Sequence, residues 1–425
     1  MKKILIYSHD TYGLGNIRRM LAIATHLVKS HSDYSILILS GSPMLHSFRI
    51  PERIDYVKLP CLGRTIGGQY VVRSLDMEYE AIVRLRANII QTTLLDYQPD
   101  LVLVDKKPLG LSNELEPALA AMHCLERLPQ VALVLRDILD APASTQAEWA
   151  AGDYHAAIER FYDLVLVVGA AEVFNLGKEY QFPPSTCAKL RYCGYVHREP
   201  GREKRAQVRR RLGVGGEPLV LLTAGGGADG YALLSAYMQG PAKGNQHTLV
   251  LCGPEMMASH RQQIERWAAA CPKAQVLEFS NDVMSLMDAA DLVVAMGGYN
   301  TVCEILSLGK RALIVPRVEP VAEQWIRCQR MSSLGLLRYL HPQDLNPARL
   351  GQVIAEQLAG LRHGETPNYR LDFDGLGRIN WWLERLLLAH APAASAPTRA
   401  QSDAPLPFLI PNGIVLGGWR YDSAS

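Results

Sequence analysis

The sharpest chemical motif of the sequence is a glycine pair that opens a polar helical stretch, Gly297-Gly298-Tyr299-Asn300-Thr301-Val302-Cys303-Glu304. It follows the apolar run Leu292–Ala295, which is typical of a buried strand. The first N–H groups of a helix have no helical partner and the helix dipole favours negative charge there, so we expect a diphosphate at the two glycines. Thr301 then suits a phosphate oxygen, and Glu304 suits two ribose hydroxyls. The alternative is a helix cap with an exposed Glu304.

Two further segments follow strands of the same half. The first, Ala224-Gly225-Gly226-Gly227-Ala228-Asp229-Gly230, suits a backbone that approaches a ligand closely. It is not a P-loop, because the Gly-Lys-Ser/Thr ending is missing. The second contains Glu323 and Gln324, which open a helix and are candidates for bonding sugar hydroxyls. The alternatives are a flexible loop for the first segment and a solvent-exposed helix start for the second.

Near the N-terminus, Tyr12-Gly13-Leu14-Gly15-Asn16-Ile17-Arg18-Arg19 follows the first predicted strand. Gly13 and Gly15 permit tight turns before a helix that can hold an anion. A dinucleotide-binding loop would need a third glycine where Arg18 stands, so NAD and FAD are disfavoured. His9, Asp10 and Asn16 crowd the same strand end, which favours a loop that faces substrate. A plain tight turn is the alternative.

Short apolar runs alternate with helical patterns along most of the chain, which predicts an α/β fold. We expect two doubly wound, Rossmann-like parallel-sheet domains that face a cleft, over residues 1–195 and 196–390. The last helix of the second domain is free to pack back on the first. An Ala/Pro-rich linker and an apolar tail follow over 391–425. The predicted strands are Ile4–Tyr7, Ser35–Leu39, Ile54–Lys58, Leu101–Val104, Val131–Leu135, Leu164–Val168, Leu219–Thr223, Thr248–Cys252, Ala274–Leu277, Leu292–Ala295 and Ala312–Val315.

Composition excludes several classes of protein. The chain has 425 residues and a net charge of only +2, so nothing in it demands nucleic acid. No stretch of 18 apolar residues predicts a transmembrane helix, and the N-terminus is interpreted as a strand, so we expect a cytoplasmic protein. The eight cysteines form no CxxC pair, which predicts buried free thiols and no metal site.

The motifs carry a family resemblance. The stretch Glu278–Gly335, with Phe279-Ser280-Asn281-Asp282, the glycine pair and Glu323-Gln324, resembles the C-terminal domain of glycosyltransferase family 28. It resembles still more closely a bacterial group of predicted glycosyltransferases. The similarity extends over about 120 residues, from Leu219 to Leu340, and is weaker at His9–Arg19.

The resemblance implies a GT-B fold, a UDP-sugar donor with no further cofactor, and inversion at the anomeric carbon without a bound catalytic metal. By that resemblance Glu304 binds the ribose, and the backbone near Val283 contacts the nucleotide base. The diphosphate is surrounded by Gly297, Gly298 and Thr301, and the hexose hydroxyls are bound by Glu323 and Gln324. Asn300 is a further candidate for binding the donor.

One departure from the family concerns the general base. The family places a His at the end of its N-terminal glycine loop, where this chain has Asn16, which cannot take a proton. Asp10 is the preferred substitute and His9 the second. Two other functions stay open: a UDP-sugar 2-epimerase, for which Asp10, Asp105, Asp137 and Glu323 are available, and a non-catalytic nucleotide-sugar-binding protein.

The acceptor is not legible in the sequence. A glycan, a lipid-linked molecule or a small molecule all fit, and the donated sugar is expected to be an N-acetylhexosamine or a hexose. Peripheral contact with the inner face of the membrane is left open, through apolar surface together with Arg18, Arg19, Arg64 or Arg73.

Overall fold

The structure is a computed structural model that describes residues 1–9, 15–65, 70–227, 229–241, 244–361 and 371–389. Asp10 and Gly13 of the predicted site, and the predicted linker and tail over 391–425, lie outside the described residues.

The N-terminal half is built on a seven-stranded parallel sheet in the order β3-β2-β1-β6-β7-β8-β9. Its central strands are rich in Val, Ile and Leu because helices cover both faces of the sheet. A separate antiparallel hairpin, β4-β5, stands beside it. The strands are β1 Lys2–Ser8, β2 Tyr34–Ser40, β3 Ile54–Lys58, β4 Leu62–Arg64, β5 Tyr70–Val72, β6 Leu101–Asp105, β7 Gln130–Arg136, β8 Leu164–Val168 and β9 Leu190–Tyr192. The helices are α1 Gly15–Ser30, α2 Tyr79–Tyr97, α3 Glu116–Ala121, α4 Pro142–Ala151, α5 Tyr154–Phe161, α6 Leu176–Glu179 and α7 Pro184–Lys189.

The C-terminal half repeats the plan with six parallel strands in the order β12-β11-β10-β13-β14-β15. Its strands are β10 Leu219–Thr223, β11 His247–Leu251, β12 Ala274–Leu277, β13 Leu292–Ala295, β14 Ala312–Ile314 and β15 Arg338–Tyr339. Its helices are α8 Arg205–Arg211, α9 Tyr231–Met238, α10 Ala258–Ala269, α11 Val283–Ala289, α12 Tyr299–Ser307, α13 Glu323–Ser333, α14 Pro347–Leu361 and α15 Gly375–Ala389.

The predicted α/β fold class with two doubly wound parallel sheets is confirmed. Each of the eleven predicted strands is present to within two residues at either end. The sequence did not predict the β4-β5 hairpin or the short edge strands β9 and β15. The proposed boundary at 195/196 stays a prediction; it falls between β9 and α8.

The last described helix crosses back to the N-terminal half. α15 packs against α1, and His31 Nε2 lies 2.8 Å from Asn380 Oδ1. The guanidinium of Arg191 stacks over the ring of Trp382. One apolar core runs through both halves, with Tyr195 and Tyr299 stacked in it. The two sheets are therefore joined by packed side chains as well as by the chain connection.

All eight cysteines are free, as predicted. Burial was predicted too broadly: Cys193, Cys252, Cys303 and Cys328 are buried, whereas Cys124 is exposed. In the part of the chain that the structure describes, no helix has the length and apolar character needed to cross a membrane.

Candidate functional site

The carboxyl ends of the two sheets face each other, and ion pairs bridge them. Arg18 on α1 lies 2.9 Å from Glu304 on α12, and Arg136 at the end of β7 lies 2.9 Å from Glu323 on α13. Ligands of doubly wound sheets bind beyond the carboxyl ends of their strands. The groove between the two halves is therefore the candidate site.

Glu304 is a buried carboxylate whose recorded partner comes from the other domain. Its side chain is 4 % exposed and its Oε1 accepts a hydrogen bond from Arg18 Nη2, whose side chain is 36 % exposed. The alternative of an exposed Glu304 is wrong. The sequence could not reveal the partner, because 286 residues separate the two.

Asn300 connects three parts of the site. Its Oδ1 accepts from Arg198 Nη2 at 2.8 Å, and its Nδ2 donates to the carbonyl of Gly15 at 3.4 Å. Arg198 lies in the connection between the two sheets, and burial lowers its pKa while the charge of Glu304 opposes that shift. The sequence by itself does not indicate Arg198, because its partner Asn300 lies 102 residues further along the chain.

The glycines of the motifs serve different purposes. A side chain at Gly298 would meet nothing within 4 Å, so this position opens the start of α12 to the groove. A Cβ at Gly297 would lie 3.1 Å from Cys328 Sγ and 3.2 Å from the Gln324 carbonyl, so Gly297 allows α13 to pack closely. Gly225, with a φ of +63°, brings its loop close to Thr301.

The rest of the glycine-rich loop packs on its own domain. A Cβ at Gly226 would lie 3.1 Å from Glu255 Oε2. Gly227 has a φ of +99°, and a Cβ there would lie 2.5 Å from the carbonyl of Cys252. Left-handed backbone and tight contact both explain why glycine stands there.

Glu323 and Gln324 are both buried, so the exposed helix start is wrong for this segment. Glu323 Oε2 accepts from Arg327 Nη2 at 3.3 Å in addition to its pair with Arg136. Arg327 is completely buried and donates to the carbonyl of Gly297 at 2.9 Å. Gln324 Oε1 accepts from the backbone N–H of Arg317 at 3.0 Å. The two predicted hexose-reading residues therefore already hold the loops around them.

The charges of this cluster shift one another's pKa. Burial acts to raise the pKa of Glu323, but Arg136 and Arg327 outweigh it, and the pKa lies below its ordinary value. Burial raises the pKa of Asp137, against the opposing charge of Arg327. Asp137 accepts from Tyr195 Oη and from the N–H of Ile138.

Two predicted catalytic residues, His9 at the end of β1 and Asn16 at the start of α1, differ in their contacts. His9 is 2 % exposed; its Nε2 lies 3.3 Å from Tyr70 Oη, on the hairpin. Asn16 donates from Nδ2 to the carbonyl of His9 at 2.5 Å and accepts from Arg19 at 3.3 Å, so its amide joins α1 to the residue that follows β1. Arg19 also pairs with the buried Asp105.

Val283 begins α11, which packs beside α12. Asp282 caps this helix by accepting from the N–H of Ser285 at 3.2 Å. The connection between the sheets reaches it as well, since the N–H of Arg202 donates to Asp282 at 2.9 Å. The segment that is predicted to contact the nucleotide base therefore lies next to the helix that carries Glu304.

A cavity of about 550 Å³ lies elsewhere, lined by Arg205, Asp291 and Lys310 among others. Two of its cations are already engaged: Arg205 pairs with Asp291 at 2.5 Å and Lys310 with Asp288 at 3.0 Å. The groove, in contrast, contains the predicted motifs. The sequence analysis missed Arg136 and Arg327, although the pattern could have indicated both. Arg136 ends a predicted strand, and Arg327 stands four residues after Glu323 on the same helix face.

Comparison with known proteins matches residues 221–366 to the glycosyltransferase family 28 C-terminal domain. The match lies wholly in the second half of the chain. The match contains the two glycine motifs, Glu304, Glu323 and Gln324. The N-terminal half lies outside it.

One relative, from Halorhodospira halophila, is a UDP-N-acetylglucosamine--N-acetylmuramyl-(pentapeptide) pyrophosphoryl-undecaprenol N-acetylglucosamine transferase. It is 31% identical over 150 residues, which are 35% of this chain and 41% of the relative. The chain thus spans less than half the length of the relatives it matches.

Solved structures share the whole fold. MurG from Acinetobacter baumannii superimposes with a TM-score of 0.56 and 16% identity, over 91% of this chain and 100% of that one. The UDP-GlcNAc 2-epimerase from Neisseria meningitidis gives 0.55 and 15%, over 92% and 100%. The GT-B fold expected from the resemblance is therefore confirmed, and the fold is common to a transferase and an epimerase.

Proposed function

We propose that the protein is a glycosyltransferase that moves a sugar from a UDP-sugar to an acceptor hydroxyl with inversion. The observation that carries the proposal is the buried Glu304, which stands just behind the open helix start at Gly298 and within the family 28 domain. That spacing suits a ribose at the carboxylate and a diphosphate at the start of α12. Val283 at the start of α11 is proposed to meet the uracil.

The proposed chemistry is direct displacement, without a bound catalytic metal. A base removes the acceptor hydroxyl proton as the oxygen attacks the anomeric carbon. The departing diphosphate gains negative charge, which the N–H groups at the start of α12 and the backbone of Gly225 stabilise. Asp10 remains our proposal for the base. His9 is the weaker candidate, because its ring is buried against Tyr7 and Tyr70.

The epimerase alternative is not favoured. Of the four carboxylates it would use, three lie in the described part of the chain, and all three are held by protein groups. Asp105 pairs with Arg19, Asp137 accepts from Tyr195, and Glu323 lies between two arginines. Buried carboxylates that are already paired are poor candidates for proton transfer to a sugar carbon.

For the sugar we propose an N-acetylhexosamine or a hexose; the first is in line with the UDP-N-acetylglucosamine in the name of the relatives. Gln324 is the candidate for binding the sugar hydroxyls. In the described part of the chain its Oε1 accepts from the N–H of Arg317, which leaves Nε2 to donate to the sugar. For the acceptor we propose a lipid-linked molecule, as in the name of those relatives. Exposed Leu75 and Met77, close to Arg73, offer a surface for peripheral contact with a membrane.

The first experiment is UDP binding by calorimetry. Glu304→Gln keeps the size of the side chain and removes its charge, and should weaken UDP by about 1–3 kcal/mol. The matched control is Glu179→Gln, because Glu179 also pairs with an arginine of the other half, Arg330 at 2.7 Å, yet lies outside the motifs. An equal loss of affinity in both variants would contradict the assignment.

The second experiment separates the candidate activities. The protein is incubated with UDP-N-acetylglucosamine alone and then with acceptors. A transferase forms a glycosylated acceptor, whereas an epimerase converts the donor without one. Tight UDP binding with no product from a broad panel of donors and acceptors would support the non-catalytic alternative.

A further inference from the structure

The starts of two helices from different domains meet across the groove. The first residue of α1, Gly15, accepts a hydrogen bond through its carbonyl from Asn300 at the start of α12. A helix carries partial positive charge at its N-terminus. Both positive ends are therefore directed to one place, where Arg18 and Arg198 add two full charges.

The carboxylate of Glu304 lies against both arginines and offsets their charge. Glu304 is buried and accepts from Arg18, whereas the side chain of Arg18 is 36% exposed. Arg18 is in the first turn of α1, so its side chain reaches from one domain onto the other. Arg198 is held differently, by the amide of Asn300.

The two groups of this ion pair can each bind a different part of a nucleotide. Ribose hydroxyls donate hydrogen bonds, and so do guanidinium N–H groups, so the two compete for the oxygens of Glu304. A diphosphate accepts hydrogen bonds, and guanidinium binds it well because its planar fork of N–H donors reaches two phosphate oxygens at once and the two groups carry opposite charges. Exchange of partners therefore leaves both charged groups hydrogen-bonded, Arg18 to the diphosphate and Glu304 to the ribose.

We propose, on the basis of the proposed function, that Arg18 is a positioning residue that changes partner when the donor binds. In the free protein Arg18 holds Glu304 and keeps the two domains together. When the nucleotide enters, Arg18 donates to the diphosphate and Glu304 accepts from the ribose. The contact across the groove then depends on the phosphates of the ligand. Arg18 thereby makes the site selective for phosphorylated nucleosides.

The proposal predicts opposite effects on two ligands. UDP offers phosphate oxygens to Arg18, whereas uridine offers none and must displace Arg18 from Glu304 without compensation. In Arg18→Gln, UDP should bind at least about tenfold more weakly, while uridine should bind as in the wild type or more tightly. The dissociation constant of uridine divided by that of UDP should therefore fall by about tenfold or more. Arg18→Lys should fall between the wild type and Arg18→Gln, because it keeps the charge and loses the fork of donors.

The measurement is titration of the full-length protein with UDP and uridine, by calorimetry or by ligand-observed NMR. The control is Arg330→Gln, which breaks another ion pair between the domains and should leave both affinities unchanged. Melting temperatures confirm that the variants are folded.

Equal weakening of UDP and uridine in Arg18→Gln would overturn the partner exchange, since Arg18 would then act only by orienting Glu304. Unchanged UDP affinity would overturn it too. A wild-type protein that does not bind UDP would instead refute the proposed function, so the two failures are distinguishable.

Discussion

The substitution Glu323→Gln tests the ion pair between Glu323 and Arg136, which links the two domains. The carboxylate of Glu323 lies between Arg136 of the first sheet and Arg327, which in turn holds the Gly297 carbonyl. The amide keeps the size of the side chain and removes the charge. Arg327, which is completely buried, then retains only the nearby charge of Asp137 as a carboxylate neighbour among the described residues.

The burial of the cluster sets the size of the effect. The side chains of Glu323, Arg136 and Arg327 are 9%, 18% and 0% exposed. Removing one partner of a buried pair costs about 3–5 kcal/mol, because a charge stays buried without compensation. The amide oxygen still accepts one hydrogen bond, so we expect the lower end, about 3 kcal/mol.

The matched control is Arg330→Gln. This residue also pairs with a carboxylate of the other domain, but the two side chains are 46% and 25% exposed. Exposed pairs contribute about 0–1 kcal/mol, so the two variants should differ by about 2 kcal/mol or more. The assay is urea unfolding followed by tryptophan fluorescence, with UDP absent.

The pH dependence has a definite sign. The pKa of Glu323 in the folded protein lies below its ordinary value of 4.5. Its stabilising contribution is therefore present above pH 4.5 and is lost as the pH falls through the folded pKa. The difference between the wild type and Glu323→Gln should be full at pH 7 and shrink below pH 4.5. A variant within about 1 kcal/mol of the wild type at pH 7, or a difference that grows in acid, would refute this reasoning.

Three further predictions follow from the chain. Asp10→Asn should lower turnover by roughly 100-fold with UDP affinity kept, whereas His9→Gln should have the smaller effect; near-normal turnover in both would exclude the end of the first strand as the source of the base. Gly253→Ala should destabilise the protein by about 1–3 kcal/mol in thermal unfolding, because φ there is +85° and the new Cβ would lie 2.6 Å from the Gly225 carbonyl; Gly216→Ala, which meets nothing within 4 Å, is its control. Deletion of residues 391–425 should leave a folded protein that binds UDP in a thermal-shift assay, and an insoluble product would show that the tail belongs to a core.

The sequence alone was sufficient for most strands of the two sheets. Long Val, Ile and Leu runs such as Leu101–Asp105 are buried on both faces, and that requirement is local and repeats in each strand. The short strands β9 and β15 and the β4-β5 hairpin escaped prediction because two or three residues carry too little pattern. Their pairing depends on neighbours that are distant in the chain.

The glycine motif of the site could also be predicted from the sequence. A glycine pair between a strand and a helix indicates an open helix start, and the structure has Gly298 in that position. Its partner Gly297 was misjudged in part: a helix packs against it, and that helix is 26 residues further along the chain. Sequence identifies a glycine, whereas only tertiary packing shows which side of it is occupied.

The partners of the charged groups were decided by tertiary structure alone. Arg18 and Glu304 stand 286 residues apart, and no local pattern relates them. Their contact depends on how two separately folded sheets face each other, and so does that of Arg136 with Glu323. Helix and strand periodicity arise from forces within a few residues, and the sequence records them directly. The balance of charge in the groove arises from domain docking, which brings together side chains that have no relation along the chain.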